Sequence, residues 1–417
     1  MRRIWQLGLL LGFSLGLTGC ATLPVDPPRS PVYASTEAQV EAQLKLLDQV
    51  WSQVNRRFYA ADFNGADWAT ARARYRDRVA NATDTDEVYA VLNEMLAELG
   101  DAHTAALTPM ESWEDYWAER AYVGLNLEWI APSWLVSEVR PGSAAEEAGV
   151  QPGWLVLSRN GEPLADEYFD LRTEEGKTYR WSFLDEHNQR VSFDLLADRL
   201  PDTMPPLEKS TEEGWVYLRF DEFAPIYREW LKNCLKYYAD APGIILDLRN
   251  NGGGDVATLE RVLRDLMPDR VRYGTFVTRG GRRDDEKSVW LGGARYAGPL
   301  AVLIGPGSAS SAEILAYALK HYKRAVLIGE PTAGVVIASQ YFSLRDGGEL
   351  QLGTFDFRTL DGGRLEGNGV TPDIPVERTL EAVRAGRDEA LEVAVTWLRE
   401  GGEVPDAPSP PREVSLP

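Results

Sequence analysis

Three serines stand where a strand hands over to a helix. Leu300 to Ile304 is a short, uninterrupted apolar run, the pattern of a strand buried on both faces. Gly305, Pro306 and Gly307 break it, and from Ala312 the apolar residues Ile314, Leu315, Ala318 and Leu319 recur at helical spacing. Ser308, Ser310 and Ser311 fall at the start of that predicted helix. A helix start offers unpaired N–H groups and a positive dipole end, both of which favour a developing negative charge. A serine there reads either as an N-cap, which Ser commonly supplies, or as a nucleophile whose oxyanion the turn stabilises. A second strand–glycine–helix turn runs from Arg249 to Asp255. It lacks the Gly-Lys-Ser/Thr of a phosphate loop and the spacing of a dinucleotide fingerprint, which argues against nucleotide binding. Both turns are expected at one end of a parallel sheet, where ligands usually sit. The backbone N–H groups of Gly253 and Ser311 are then the candidates for one oxyanion hole.

A serine nucleophile needs a base. The chain has 3 histidines: His103, His187 and His321. His321 is carried on the helix that follows Ser310, about 16 Å along at 1.5 Å per residue, which is out of reach. His187 sits in Asp185-Glu186-His187-Asn188, a turn signal far from the serine turn in sequence. Elimination leaves His103, at a loop after a helical stretch, unless a lysine serves. Taken alone, His103 reads equally as a helix-terminus residue capping carbonyls.

The elements that must position these groups follow from periodicity. From Thr36 to about Leu99 the pattern is helical. Leu44, Leu47, Val50, Trp51 and Val54 form one stripe, and Val88, Val91, Leu92, Met95, Leu96 and Leu99 a second. From Gly214 strands and helices alternate: strands at 215–220, 243–248, 300–304 and 325–329, helices at 226–238, 256–267 and from 312. That alternation predicts a mainly parallel sheet. The Gly-rich, charged stretch 280–293 reads as a loop. Between these parts the sequence changes character: residues 122–127 and 134–139 are followed by Pro141-Gly142-Ser143-Ala144-Ala145 and Gly153-Trp154-Leu155-Val156. This run resembles a PDZ domain. The resemblance implies a peptide-binding loop at Gly124, Leu125, Asn126 and Leu127, with Asn126 in place of the usual second glycine, and a peptide added as a strand.

The 417 residues allow two or three domains, and 44% hydrophobic residues with 13 Trp indicate packed cores. A formal charge of −20 argues against nucleic acid and against a polybasic grip on anionic membranes. Residues 1–20 read as an export signal, with Arg2 and Arg3 ahead of an apolar stretch too short for a comfortable membrane span. The ending Leu17-Thr18-Gly19-Cys20 resembles a bacterial lipobox, which implies cleavage before Cys20 and lipid on its sulfur. An anchor of that kind places the protein in a bacterial cell envelope, facing periplasm or exterior. Once Cys20 is acylated, Cys234 has no partner for an internal disulfide and reads as a small buried hydrophobe. Residues 21–35 read as an extended tether.

Gly243 to Gly254, Ser308 to Ile314, Gly329-Glu330-Pro331-Thr332 and Gly369-Val370-Thr371-Pro372-Asp373-Ile374 together resemble the carboxy-terminal processing (tail-specific) serine peptidases. The resemblance covers most of residues 36–380. It implies a multidomain α/β protein: a helical domain at 36–118, a β-rich PDZ domain at 119–200, a crotonase-like catalytic core at 201–385, and a helix with a Pro-rich tail at 386–417. It implies Ser310 as nucleophile. The tail-specific branch pairs its serine with a lysine twenty-five residues on; here that position is Val335, which cannot take a proton. The branch resembling the tricorn protease core uses a histidine near the end of the helical segment and a glutamate before the closing Gly-Val-x-Pro-Asp. His103 and Glu366 match those positions, while Ala102 replaces the serine that precedes the histidine in that branch. Asp101, or direct contact with Glu366, is then expected to orient the imidazole. The expectation is a serine endopeptidase acting on a peptide or protein substrate without metal or cofactor. A non-catalytic binding member of the same fold, and a hydrolase of another acyl bond, are the alternatives.

Overall fold

The computed structural model describes residue 28 and residues 35–164, 173–287 and 296–404. The export segment with Cys20, most of the tether 21–35 and the Pro-rich end from 405 lie outside the described residues. Among those described, no helix is long and apolar enough to cross a membrane.

The helical stretch forms three helices, Thr36–Arg57, Trp68–Asn81 and Thr85–Ala97. Each starts at a side chain that accepts a free N–H: Ser35 from Ala38, Asp67 from Thr70, Asp84 from Glu87. Their apolar stripes meet in one core, with Leu47, Val50, Leu92, Met95 and Leu96 fully buried. That core is closed by Ile337, Leu350 and Leu352 from the far end of the chain.

Those last residues belong to a five-stranded antiparallel sheet. Its order is Ala105–Leu107, Glu349–Arg358, Arg272–Thr278, Arg283–Lys287, with Ala338–Ser343 on the opposite edge of Glu349–Arg358. The strand Arg283–Lys287 corrects the expected loop at 280–293. It pairs with Arg272–Thr278 through backbone bonds that need no apolar alternation, so the charged sequence gave no strand signal. Strand pleating sorts the side chains of this sheet. Ala106, Phe342, Leu350 and Leu352 face the helical core. Register puts Ser339, Tyr341, Glu349 and Gln351 on the other face.

Within the stretch that resembles a PDZ domain, Leu125–Ile130 and Ser133–Val139 are strands. With Leu155–Arg159, Thr178–Leu184 and Arg190–Leu196 they form an antiparallel sheet around Trp134, Val136, Trp181 and Phe183.

Besides a two-stranded pairing of Glu119–Tyr122 with Asp198–Pro201, a further sheet has six strands: Leu207–Ser210, Val216–Arg219, Ile244–Asp247, Leu300–Ile304, Val326–Gly329 and Ile374–Pro375. All but the first pairing are parallel, as the alternating pattern predicts. Helices Pro225–Tyr237, Val256–Leu266 and Ser311–His321 cover one face, where Leu231, Leu259, Leu263 and Leu315 are buried. Cys234 lies in that layer, 5% exposed, as a free thiol. The last described helix, Glu389–Arg399, covers the opposite face by laying Ala390, Ala394, Trp397 and Leu398 over Ile245, Ala301, Leu303, Val326 and Ile328.

Candidate active site

The strand Leu300–Ile304 is fully buried and ends in the turn that delivers Ser310. Two of the three serines are structural. The Ser308 hydroxyl donates to Leu248 O (2.7 Å) and accepts from Gly305 N, binding one glycine turn to the other. The Ser311 hydroxyl donates to Gly254 O at 2.8 Å. Ser310 differs in its backbone: φ is +53° and ψ −118°, a conformation that side chains other than hydrogen rarely adopt. Holding a non-glycine residue there costs on the order of 1–3 kcal/mol, and such strain gathers at functional sites. A strained serine between a buried strand and a helix is also the arrangement that thrusts a nucleophile out of a turn in α/β-hydrolases.

The strain is held by Glu313, which sequence reasoning missed. Its side chain is fully buried and accepts from Ser310 N (3.1 Å), Val335 N (2.8 Å), Gly334 N (2.7 Å) and the Thr332 hydroxyl (2.5 Å). Ser310 N also donates to Val335 O at 2.8 Å. The signal was present as Ser310-x-x-Glu313, the spacing of a capping box. Close packing adds a further constraint: a Cβ on Gly307 would lie 2.5 Å from Arg249 O. Gly307→Ala is therefore expected to destabilise the protein by about 1–3 kcal/mol, read as a lower urea midpoint, because backbone rather than a side-chain tip must move.

The segment Val335–Ile337 gathers the other candidates. Val336 N and Ile337 N both donate to Glu366 Oε2, at 2.7 and 3.1 Å. Beside Ile337, Gly353 lies so close to Asp101 that a Cβ there would sit 2.4 Å from Asp101 Oδ2. Asp101 Oδ1 accepts from His103 N (3.0 Å), and Oδ2 accepts from the Thr104 hydroxyl (2.5 Å). Thr104 in turn accepts from Gly353 N at 3.0 Å. Segments two hundred residues apart are thus brought onto one strip, with Ser310 at one end and the Asp101–His103 turn at the other. His187 is exposed at its turn, and His321 ends the serine helix between Tyr317 and Tyr322.

Two expectations about orientation change. Asp101 holds the backbone of His103, not its ring, and Glu366 is bound to backbone N–H groups. Both ring nitrogens of His103 are buried without a hydrogen-bond partner. Burial pushes the imidazole down to about 4, so it is neutral at physiological pH. Burial, reinforced by the charge of Asp101, pushes Glu366 up to about 7. The Gly253 N–H donates to Asn251 Oδ1 at 2.9 Å instead of facing an oxyanion. Asn251 sits there because its amide also donates to Phe220 O and its carbonyl accepts from Ala309 N. Ser311 is the first residue of its helix, where N–H groups lack an intrahelical acceptor.

In the expected peptide-binding loop, Gly124 has φ +87° and packs against Ser143, where no Cβ would fit. Leu125 and Leu127 lie in the strand that follows, and the Asn126 amide donates to Glu138 at 3.4 Å. No group of acidic, His or Cys side chains suited to a metal ion occurs among the described residues.

A buried strand leads to a strained serine at a helix start, with a buried neutral imidazole on the adjoining strip, an arrangement compatible with serine hydrolysis. Comparison with known proteins agrees. The model of Peptidase family S41 matches residues 214–376, and that of the tricorn protease C1 domain matches residues 43–97. The carboxyl-terminal-processing protease of Synechocystis sp. is 30% identical over 408 residues, covering 91% of this chain and 88% of its own length. Among solved structures, the photosystem II D1 C-terminal processing protease has a TM-score of 0.59 at 24% identity, over 82% of this chain and 94% of its own. The tricorn protease has a TM-score of 0.52 at 19% identity, over 87% of this chain and 37% of its own. These two share the fold. The protein is a serine-type peptidase, and the chain belongs to the carboxyl-terminal processing family, Peptidase family S41.

Proposed function

We propose that this chain is an exported, lipid-anchored endopeptidase that cleaves peptide bonds through an acyl-enzyme on Ser310, with His103 as base and Glu366 as the group that orients it. The observation that carries the reading is the strained backbone of Ser310, tied through Val335 to the strip that borders Glu366 and the His103 turn. His103, neutral at pH 7, takes the hydroxyl proton as Ser310 Oγ attacks the carbonyl carbon. The N–H of Ser311, and that of Gly253 once turned from Asn251, receive the oxyanion. His103 then gives the proton to the leaving amine, and water, deprotonated by the same ring, releases the acyl group. Productive geometry needs the ring to turn so that one nitrogen meets Ser310 Oγ and the other meets Glu366.

Residues 119–200 are proposed as a PDZ domain that presents the peptide through Gly124 to Leu127, next to a crotonase-like core. Lipid on Cys20 would hold the enzyme at the envelope membrane. A fluorophosphonate probe tests the nucleophile: it is expected to label Ser310, as read by peptide mass spectrometry. Absence of labelling in a folded protein favours the binding-module alternative, which the unpartnered His103 ring would then explain.

A further inference from the structure

Away from Ser310, the polar face of the five-stranded sheet meets carboxylates from other parts of the chain. Register puts Tyr341 and Glu349 on that face, on neighbouring strands. Asp115 comes from the helix Pro109–Trp117, directly after the strand Ala105–Leu107 that borders Glu349. Glu222 lies in the bend between the strand Val216–Arg219 and the helix Pro225–Tyr237, and adjoins Phe223, whose N–H donates to Gly253 O at 2.5 Å. Asp115 feels Glu349, Asp202 and Glu222, and Tyr341 feels Asp115, Glu349 and Glu222.

No lysine or arginine forms an ion pair with Asp115, Glu222 or Glu349 among the described residues, although each is more than half buried. Asp202, at the border of the group, has Arg120 and Arg140 nearby. Carboxylates taken from water are ordinarily compensated by a cation or by hydrogen bonds. Two hydroxyls beside them are also unmatched. The Tyr341 hydroxyl oxygen is buried without a partner. So is that of Ser112, a side chain only 2% exposed and one helical turn before Asp115. These carboxylates and the Tyr341 hydroxyl lie close enough to act on one another, and as acceptors they suit a donor-rich cation.

The backbone beside them has an edge that no described strand pairs with, though its last carbonyl, Ser343 O, accepts from Gln49 Nε2 at 3.0 Å. Strand Ala338–Ser343 pairs only with Glu349–Arg358, so its outer edge is unpaired among the described strands. It begins three residues after Val335, which binds Ser310 N. An extended peptide can add to such an edge by main-chain hydrogen bonds, with every second side chain on the polar face.

We propose that Asp115, Glu222 and Glu349 form a subsite for a lysine or arginine side chain of the substrate, whose backbone pairs with the free edge of Ala338–Ser343. At about 3.3 Å per residue the basic side chain falls within about six residues of the scissile bond. This rests on Ser310 being the nucleophile. The free edge supplies affinity that is blind to sequence, and the carboxylates supply the selection.

The test uses the full chain carrying Ser310→Ala and fluorescent peptides of one neutral sequence, in which a single lysine is walked through seven positions. Anisotropy is expected to show one position at which lysine binds about ten-fold tighter than norleucine, by charge-assisted hydrogen bonds in a partly desolvated site. Asp115→Asn with Glu222→Gln is expected to bring that ratio below about three-fold. Glu349→Gln alone is expected to lower it, which keeps the test open should the double variant fold poorly. Equal binding at all positions, or a lysine preference that survives these variants, overturns the proposal. Hydrolysis by the unmodified enzyme separates the two readings. Cleavage of lysine and norleucine peptides at equal rates keeps the reaction and removes the subsite. Lysine-selective binding without hydrolysis or probe labelling keeps the subsite and removes the reaction.

Discussion

Ser310→Ala is expected to lower peptide turnover on the order of 10⁵-fold or more, the scale on which loss of a nucleophile removes covalent catalysis. Hydrolysis of an internally quenched peptide measures it. Stability should hardly change, because alanine bears the same strain at φ +53° as serine does. Ser310→Gly separates the two roles of the position. Glycine reaches this conformation freely, so the variant should be as inactive as Ser310→Ala and more stable by about 1 kcal/mol or more. A rise in unfolding midpoint with loss of turnover is the signature of strain kept for chemistry. A glycine variant less stable than the alanine variant would show that the turn is not strained.

His103→Leu carries the second large effect. Turnover is expected to fall about 10⁴-fold or more, since removing a triad base costs nearly as much as removing the nucleophile. Stability should move the other way. The ring is 2% exposed, and both its nitrogens lack partners, so an apolar residue of similar size removes an uncompensated polar group. The sign with pH follows from the imidazole being held down to about 4 in the folded protein. Between that value and the ordinary 6.5, the unfolded chain binds a proton that the folded chain refuses. Wild-type stability contributed by this residue is therefore complete above pH 6.5 and is lost as pH falls towards 4, by about 2 kcal/mol at pH 5. Glu366, Asp115 and Glu222, each pushed up to about 7, act in the opposite sense, so the difference between wild type and variant isolates the imidazole. Urea midpoints at pH 5 and pH 7.5 should show His103→Leu gaining on wild type at the lower pH. A constant difference would mean the ring is solvated or charged.

The serine turn was legible in the sequence because its pieces are local: an apolar run, a glycine break and a helical stripe within twenty residues. His103 could be singled out only by elimination, because histidines are scarce here. The resemblance to a family supplied Glu366, which no periodicity would have singled out. What stayed hidden is non-local. Glu313 looks like a helix cap until Thr332, Gly334 and Val335 are folded onto it. The carboxylates at 115, 222 and 349 come from a helix, a bend and a strand, and only the folded chain brings them near one another. The partners of Gly253 and His103 depend on side-chain rotation, to which spacing along the chain is blind.

The helix Glu389–Arg399 is the last described element to be synthesised, yet it roofs strands laid down some sixty to a hundred and fifty residues earlier. During synthesis, that side of the sheet has no native cover until this helix arrives. The peptidase fold is thus completed from its carboxyl end, and until then its own apolar strands are the kind of unfolded surface that other proteases recognise.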